Sequence, residues 1–272
     1  MNEPLLNAVA GVISDVASRE VMPRWRNLGL GDIVEKTGPD DLVTVADKAA
    51  EAALTERLVT LLPGSAVVGE EAVAADPAVL QRLSAPGPVW VIDPIDGTAA
   101  FATGEPNFTL MVALVENGRP LAGWILAPAL GKFAFGGGDV GVRFGESLSD
   151  AVQVVRPSVP SSLNGMIGLL GKRNISEARR AELKTKESHF KALDGVTFAG
   201  IDYMRLALGE AHFALYSKCE PWDHLPGLAL MGALGFEHAR HDGLLYQPHA
   251  PTGGLLIAPQ GHLEQIRTVL LG

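Results

Sequence analysis

The 272-residue sequence contains one cysteine and no concentration of positive charge. The single Cys219 cannot form an intrachain disulfide, which fits a reducing compartment. Its 22 lysine and arginine residues form no basic block and are outnumbered by 31 acidic residues, so no nucleic-acid partner is expected. No apolar run is long enough to span a bilayer, and the N-terminus lacks the basic segment of a signal peptide. We therefore expect a cytoplasmic protein without a membrane partner.

Apolar periodicity and turn residues divide the chain into two lobes. Helices are predicted over residues 3–21, 44–62, 176–187, 202–209, 223–234 and 261–271. Strands are predicted over residues 66–68, 89–92, 109–115, 121–126, 165–170, 195–200, 212–216 and 255–258, with hairpin turns at Asn117-Gly118 and Asp242-Gly243. Residues 29–37 show neither pattern. We predict an α+β lobe over residues 1–150 and an α/β lobe over residues 151–272.

Acidic residues follow apolar segments that have no basic neighbours in the sequence. The stretch 83–118 has no lysine or arginine, yet Asp93 and Asp96 come directly after a strongly apolar strand. The stretch 219–239 also has none, and there Asp223 precedes a largely apolar helix. An unpaired buried carboxylate costs several kcal/mol. Oxygen-ligated Mg²⁺ would neutralise these carboxylates together.

The hexapeptide Asp93-Pro-Ile-Asp-Gly-Thr98 has a local geometry that suits such a site. Pro94 is expected to stop the strand, so that the two aspartates converge rather than alternate across a sheet. The carbonyl of Ile95 is then free to act as a ligand. Gly97-Thr98 is expected to open a helix, whose N–H groups can hold a phosphate.

Three ordered motifs resemble the signatures of the inositol monophosphatase family. They are Gly69-Glu70-Glu71, the hexapeptide 93–98 and Pro221-Trp222-Asp223, and the match extends over most of the chain. The segment 41–47, with Thr44 and Asp47, is similar to the family's upstream motif. Lys36 falls where the family has a lysine on a mobile loop. The resemblance implies a layered αβαβα sandwich of the sugar-phosphatase type, most of whose metal ligands lie in the N-terminal lobe.

The resemblance also implies a role for each matching position. Glu70, Asp93 and the Ile95 carbonyl would bind one Mg²⁺, and Asp93, Asp96 and Asp223 a second. Glu70, with waters, would hold a third. Thr98, oriented by Asp47, would position the attacking water, and the N–H groups of Gly97 and Thr98 would hold the phosphate. The implied enzyme is a lithium-sensitive phosphomonoesterase that uses two or three Mg²⁺ per site and is usually a homodimer.

Simpler interpretations exist for several of these residues. Asp47 alone fits the third helical residue of a capping box. Glu70-Glu71 alone fits a solvated strand end, and Asp223 alone fits a helix N-cap. Lys36 alone fits an ordinary surface lysine, so Lys36 and Glu71 are only possible site residues.

The sequence departs from the family pattern on the side of the site that would meet the alcohol. Where the family has an acid seven residues before the last aspartate, this chain has Tyr216. The small segment that touches sugar hydroxyls in inositol phosphatases is replaced here by 199–203. Asp202 is therefore a candidate to receive a substrate hydroxyl or amine, with Asp96 and Tyr216 as further substrate-binding residues.

The expected function is Mg²⁺-dependent hydrolysis of a small phosphorylated metabolite, with inositol 1-phosphate as the first candidate. Histidinol phosphate, fructose 1,6-bisphosphate and 3′-phosphoadenosine nucleotides are alternatives within the same chemistry. A protein of another class, a regulatory binding partner with vestigial activity, is the remaining alternative. The complete set of acidic residues, with Thr98 and Asp47, argues against a pure binding protein.

Overall fold

Two mixed β-sheets and three layers of helices make up the protein, as seen in a computed structural model that describes residues 1–38, 41–171 and 175–272. The helices are α1 (Glu3–Val16), α2 (Val45–Leu61), α3 (Glu70–Ala75), α4 (Thr98–Thr103), α5 (Glu177–Thr185), α6 (Ala199–Ala207), α7 (Pro221–Ala233) and α8 (Leu263–Leu271). A π-helical turn, Ala17–Val21, continues α1. Short 3₁₀ turns connect several of the other elements.

The first sheet has the strand order β3-β4-β5-β6-β7-β8-β9. Its strands are β3 (Ala66–Gly69), β4 (Pro88–Asp96), β5 (Thr109–Glu116), β6 (Arg119–Ala127), β7 (Lys132–Gly137), β8 (Gly141–Gly145) and β9 (Val152–Gln153). Only β3 and β4 run parallel among these pairs. A separate antiparallel hairpin consists of β1 (Ile33–Gly38) and β2 (Asp41–Thr44).

The second sheet has the order β11-β10-β12-β14-β13. Its strands are β10 (Ile167–Leu170), β11 (Ala192–Gly195), β12 (Phe213–Tyr216), β13 (Phe236–Arg240) and β14 (Leu255–Pro259). β10 is parallel to both of its neighbours, whereas β14 is antiparallel to both of its own.

Alternating residues of the sheets face different hydrophobic cores, and this alternation produces the layers. Trp124 of β6 packs under α1 and α2, whereas the next residue, Ile125, packs against α6 and α7 on the opposite face. Helices α6 and α7 therefore lie between the two sheets. Helices α5 and α8 cover the outer face of the second sheet around Leu215. The predicted αβαβα sandwich is confirmed, while the division near residue 150 stays a prediction.

Local predictions differ from the structure at two places in the first half of the chain. Residues 33–38 form β1 where no regular structure was expected, because they pair with β2. Strand β4 does not stop at Pro94 but continues to Asp96. A bulge between Asp93 and Asp96 takes Pro94, which has no N–H, out of the ladder.

Two further corrections concern the second half. The strand predicted over residues 195–200 is wrong: β11 ends at Gly195, and α6 begins at Ala199, earlier than the predicted helix. The cause is nonlocal, because the position of β11 is set by its pairing with β10, which begins at Ala192. The turn at Asp242-Gly243 exists, but it does not join two paired strands, because β13 pairs with β14 instead.

Candidate functional site

The candidate site lies where β3 ends beside β4. The two strands are parallel, and Gly69 pairs with Ile92, so the residues that follow this pair, Glu70 and Asp93, lie next to each other. Glu70 is the first residue of α3. Asp223 reaches the same place from the first turn of α7, which packs against β4.

Asp96 is buried and is held by neutral donors. Its Oδ2 accepts hydrogen bonds from the Gly200 N–H at 2.7 Å and from the Thr109 hydroxyl at 3.2 Å. Burial raises the pKa of Asp96 to about 6, although the bonds from Gly200, Thr109 and Ala199 oppose that rise. Gly200 has to be glycine, because a β-carbon there would lie 2.0 Å from the Thr109 hydroxyl oxygen.

Asp93 is the least satisfied carboxylate of the site. It is 1% exposed, and its Oδ1 has no hydrogen-bond partner. Burial, followed by the negative charges of Glu70, Asp96 and Asp223, raises the pKa of Asp93 well above its usual value. Burial, Asp96 and Glu70 raise the pKa of Asp223 in the same way, and Asp223 also bonds to Asp93. These carboxylates cannot all be ionised without a cation nearby.

Thr98 and Asp47 are in contact, as the resemblance implies. The Thr98 hydroxyl lies 2.9 Å from the Ile95 carbonyl oxygen and 3.3 Å from Asp47 Oδ1. Asp47 Oδ2 accepts from both the N–H and the hydroxyl of Thr44, at 2.7 and 2.6 Å, so the predicted capping box is also present. Burial raises the pKa of Asp47 to about 6. Asp47 therefore caps α2 and also contacts Thr98, while its role in catalysis stays a prediction.

Lys36 lies inside the site rather than on the surface. Strand β1 carries it to Glu70 Oε1 at 2.9 Å and to Glu71 Oε1 at 2.5 Å. Burial acts to lower the pKa of Lys36, but the two glutamates outweigh it and raise the pKa. Burial still raises the pKa of Glu70 to about 7, because it outweighs the attraction of Lys36.

These residues line one cleft. Its wall consists of Leu42, Glu70, Asp93, Ile95, Asp96, Gly97, Thr98, Ala99, Phe198 and Asp223. The side chains in it that could ligate a metal are four carboxylates and the Thr98 hydroxyl. All of them are oxygen donors, which is the donor set of a hard cation. Within the described part of the chain, no three acidic, histidine or cysteine side chains are arranged to hold a metal ion. The Glu70 carboxylate bonds to Lys36 in this arrangement.

The structure does not bring Asp202 and Tyr216 to the cleft wall. Asp202 is fully buried, and both of its oxygens accept from the Thr197 N–H, at 3.1 and 3.2 Å. The Tyr216 hydroxyl is also buried and points to Asp202 Oδ2 at 3.4 Å. Burial raises the pKa of Asp202 to about 7. Neither residue lines the cleft, contrary to the position expected from the sequence, and a role for either in substrate binding stays a prediction.

Sequence reasoning missed two residues that shape the site. Glu51 is buried, and its carboxylate accepts from the N–H groups of Glu71 and Ala72, at 2.8 and 2.9 Å, at the start of α3. Phe198 forms part of the cleft wall. A signal for Glu51 was available, since it lies four residues after Asp47 and therefore on the same face of α2. Nothing local marked Phe198.

The layered αβαβα fold, with an acidic cleft beside the end of β3, is that of the sugar-phosphatase type of hydrolase. A model of the inositol monophosphatase family matches residues 1–269, and the chain belongs to that family, which places it among the phosphatases. Within the described residues, no helix has the length and apolarity to cross a membrane.

Individual relatives agree with this assignment. A fructose-1,6-bisphosphatase/inositol-1-monophosphatase of Thermotoga maritima is 27% identical over 75% of this chain and 73% of its own length. A histidinol-phosphatase of Streptomyces coelicolor is 36% identical over 53% of this chain and 52% of its own. Inositol monophosphatase-II of Staphylococcus aureus is similar in fold, with a TM-score of 0.79, 22% identity, and coverage of 98% of this chain and 93% of its own.

Proposed function

We propose that the chain is a Mg²⁺-dependent phosphatase that hydrolyses a small phosphate monoester to an alcohol and inorganic phosphate. The observation that carries the proposal is the buried, unpartnered Asp93 Oδ1 among carboxylates that raise one another's pKa. Glu70, Asp93, Asp96, Asp223 and the Ile95 carbonyl are the groups that would hold the ions, two or three in number. Bound Mg²⁺ would supply positive charge against the phosphate oxygens and make water more acidic.

The remaining residues of the site would bind the phosphate, orient the attacking water and accept its proton. The N–H groups of Gly97 and Thr98 would hold the phosphate. The Thr98 hydroxyl, held between Ile95 and Asp47, would orient the attacking water and relay its proton to Asp47. A pKa of about 6 keeps Asp47 largely ionised at neutral pH and still able to accept that proton. The water oxygen forms the new bond to phosphorus, the ester oxygen leaves, and solvent protonates it.

The proposal includes finer expectations from the family resemblance. Inositol 1-phosphate is its first candidate substrate, with histidinol phosphate, fructose 1,6-bisphosphate and 3′-phosphoadenosine nucleotides as alternatives. Li⁺ is expected to inhibit by replacing one Mg²⁺. A cytoplasmic homodimer is the expected state of the protein, and gel filtration with light scattering would measure its assembly.

The test is phosphate release from these substrates with Mg²⁺ and with EDTA, for the wild type and for Asp93→Asn. We expect turnover only with Mg²⁺ and a loss of at least about 100-fold in Asp93→Asn, because the variant removes the negative charge of a shared ligand. Asp139→Asn, at an exposed aspartate outside the cleft, is the matched control and should match the wild type. Mg²⁺ should also raise the melting temperature of the wild type but not of Asp93→Asn. Absence of Mg²⁺-dependent turnover on every substrate would favour the binding role instead.

A further inference from the structure

Part of the cleft lining is apolar. This apolar wall consists of Leu42 from β2, Ala99 from α4 and Phe198 from the residue before α6. The three side chains come from separate elements, so this apolar wall is a product of the fold rather than of one sequence motif. Phe198 is the only aromatic residue among the described residues of the wall.

Phe198 is held in place before any substrate arrives. Its carbonyl accepts from the Asp202 N–H at 3.0 Å at the start of α6. The preceding Thr197 N–H is fixed by both oxygens of the Asp202 carboxylate. On the other side, the ring lies against Gly97, where a β-carbon would come within 3.1 Å of the ring atoms Cγ and Cδ2. Asp202 therefore holds the backbone on both sides of the Thr197–Phe198 bond in place.

The wall offers little to a substrate that carries many hydroxyl groups. Among the described lining residues, Thr98 has the only neutral polar side chain, and its hydroxyl is already placed on Ile95 and Asp47. Asp202 and Tyr216 are buried and bonded to each other. A polyol pressed against this wall would leave hydroxyl groups without partners, which lowers binding by about 5- to 100-fold for each hydroxyl.

We propose that the site takes the phosphate monoester of an alcohol that bears an aromatic or heteroaromatic ring, with Phe198 as the residue that selects it. This inference rests on the proposed function, in which Gly97 contacts the phosphate. It puts an aromatic alcohol phosphate in the place of inositol 1-phosphate, the first candidate from the family resemblance. Because the Phe198 ring touches Gly97, the ring of the substrate has to lie close to its phosphate, across a short linker. Ring-on-ring packing is favoured over packing of a saturated ring by about 2- to 10-fold.

The test compares 2-phenylethyl phosphate with 2-cyclohexylethyl phosphate. The two esters have the same linker and similarly basic leaving groups, and they differ only in the aromaticity of the ring. With Mg²⁺, we expect the wild type to prefer the aromatic ester by about 2- to 10-fold in kcat/KM, mainly through KM. Phe198→Leu keeps an apolar side chain but removes the ring, so the ratio of the two kcat/KM values should fall to about 1. A general loss of structure would lower both values and leave the ratio unchanged.

Phe144→Leu is the matched control, because Phe144 is a half-buried phenylalanine on β8, outside the cleft. It should keep the wild-type ratio. Inositol 1-phosphate and ethyl phosphate complete the series, and the wild type should hydrolyse inositol 1-phosphate at least about 10-fold less efficiently than 2-phenylethyl phosphate. Mg²⁺-dependent turnover with no preference for the aromatic ester, or with a preference for inositol 1-phosphate, would overturn this inference alone. No Mg²⁺-dependent turnover of these four esters or of the other candidate substrates would overturn the proposed function.

Discussion

Replacing Glu51 by glutamine should loosen the segment that carries Glu70 while leaving the cleft residues themselves intact. The Glu51 carboxylate spans the first turn of α3, where it accepts from the N–H groups of Glu71 and Ala72. It also packs against Gly69, where a β-carbon would lie 2.3 Å from the carboxyl carbon. Helix α2 thus holds the end of β3 and the start of α3 through one side chain.

The size of the effect follows from the two hydrogen bonds. The glutamine in Glu51→Gln has the same shape, but one of its two terminal atoms becomes an NH₂ group that faces an N–H donor. One charge-assisted hydrogen bond is lost, which costs about 1.5–3 kcal/mol in the free energy of unfolding. For a chain of this length, that corresponds to a decrease in melting temperature of about 3–6 °C. The Mg²⁺ concentration needed for half-maximal activity should rise by about 10-fold, as is typical when a support of a metal ligand is removed.

The assay combines thermal unfolding in EDTA with Mg²⁺ titrations of phosphate release. Gly69→Ala disturbs the same contact from the opposite side and should produce the same two changes. Glu56→Gln changes an exposed glutamate of the same helix and should produce neither. If Glu51→Gln melts within about 1 °C of the wild type and needs no more Mg²⁺, Glu51 does not hold Glu70 in place.

Two further variants test other parts of the site. Gly97→Ala should lower the melting temperature by several degrees and reduce activity at least about 10-fold. The reason is that Gly97 has φ of +90° and that a β-carbon there would lie 2.9 Å from the Asn107 carbonyl oxygen. Gly64→Ala has a similar φ of +87° with open space around it, and a loss of activity equal to that of Gly97→Ala would contradict this reasoning. Asp202→Asn should flatten the dependence of melting temperature on pH. Burial raises the pKa of Asp202 from 3.8 to about 7, so its contribution to stability is complete below about pH 3.8 and is lost as the pH rises through about 7. A pH profile of Asp202→Asn that parallels that of the wild type would show that Asp202 does not titrate in this way.

Local patterns predicted the parts of the site that local chemistry determines. Thr44 and Asp47 form the capping box that their spacing predicts, and the same Asp47 contacts Thr98. The turn at Asn117-Gly118 joins β5 and β6 as predicted, since both of its residues have positive φ. In these cases the residues that decide the conformation are neighbours in the sequence.

The predictions that were wrong depend on partners far along the chain. Strand β4 continues past Pro94 because Thr109 of β5 is available to pair with Asp96. Asp202, which was expected to face a substrate, is turned inward by contacts at residues 197 and 216. The burial of Asp202 depends on how α6 packs between the two sheets. That packing involves residues far apart in the chain, so a short stretch of sequence does not predict it.

The absence of basic residues near the acidic ones in sequence led to the expectation of cations, and the structure limits that reasoning in one respect. Lys36 comes from a hairpin 34 residues away and neutralises Glu70, which the local sequence around Glu70 could not reveal. It does not neutralise the others. Asp96 has only neutral donors, and Asp93 keeps one oxygen with no partner beside Asp223. Since one lysine cannot balance four carboxylates, the remaining negative charge still calls for a divalent cation, and the need is greatest at Asp93, the ligand that the proposed ions would share.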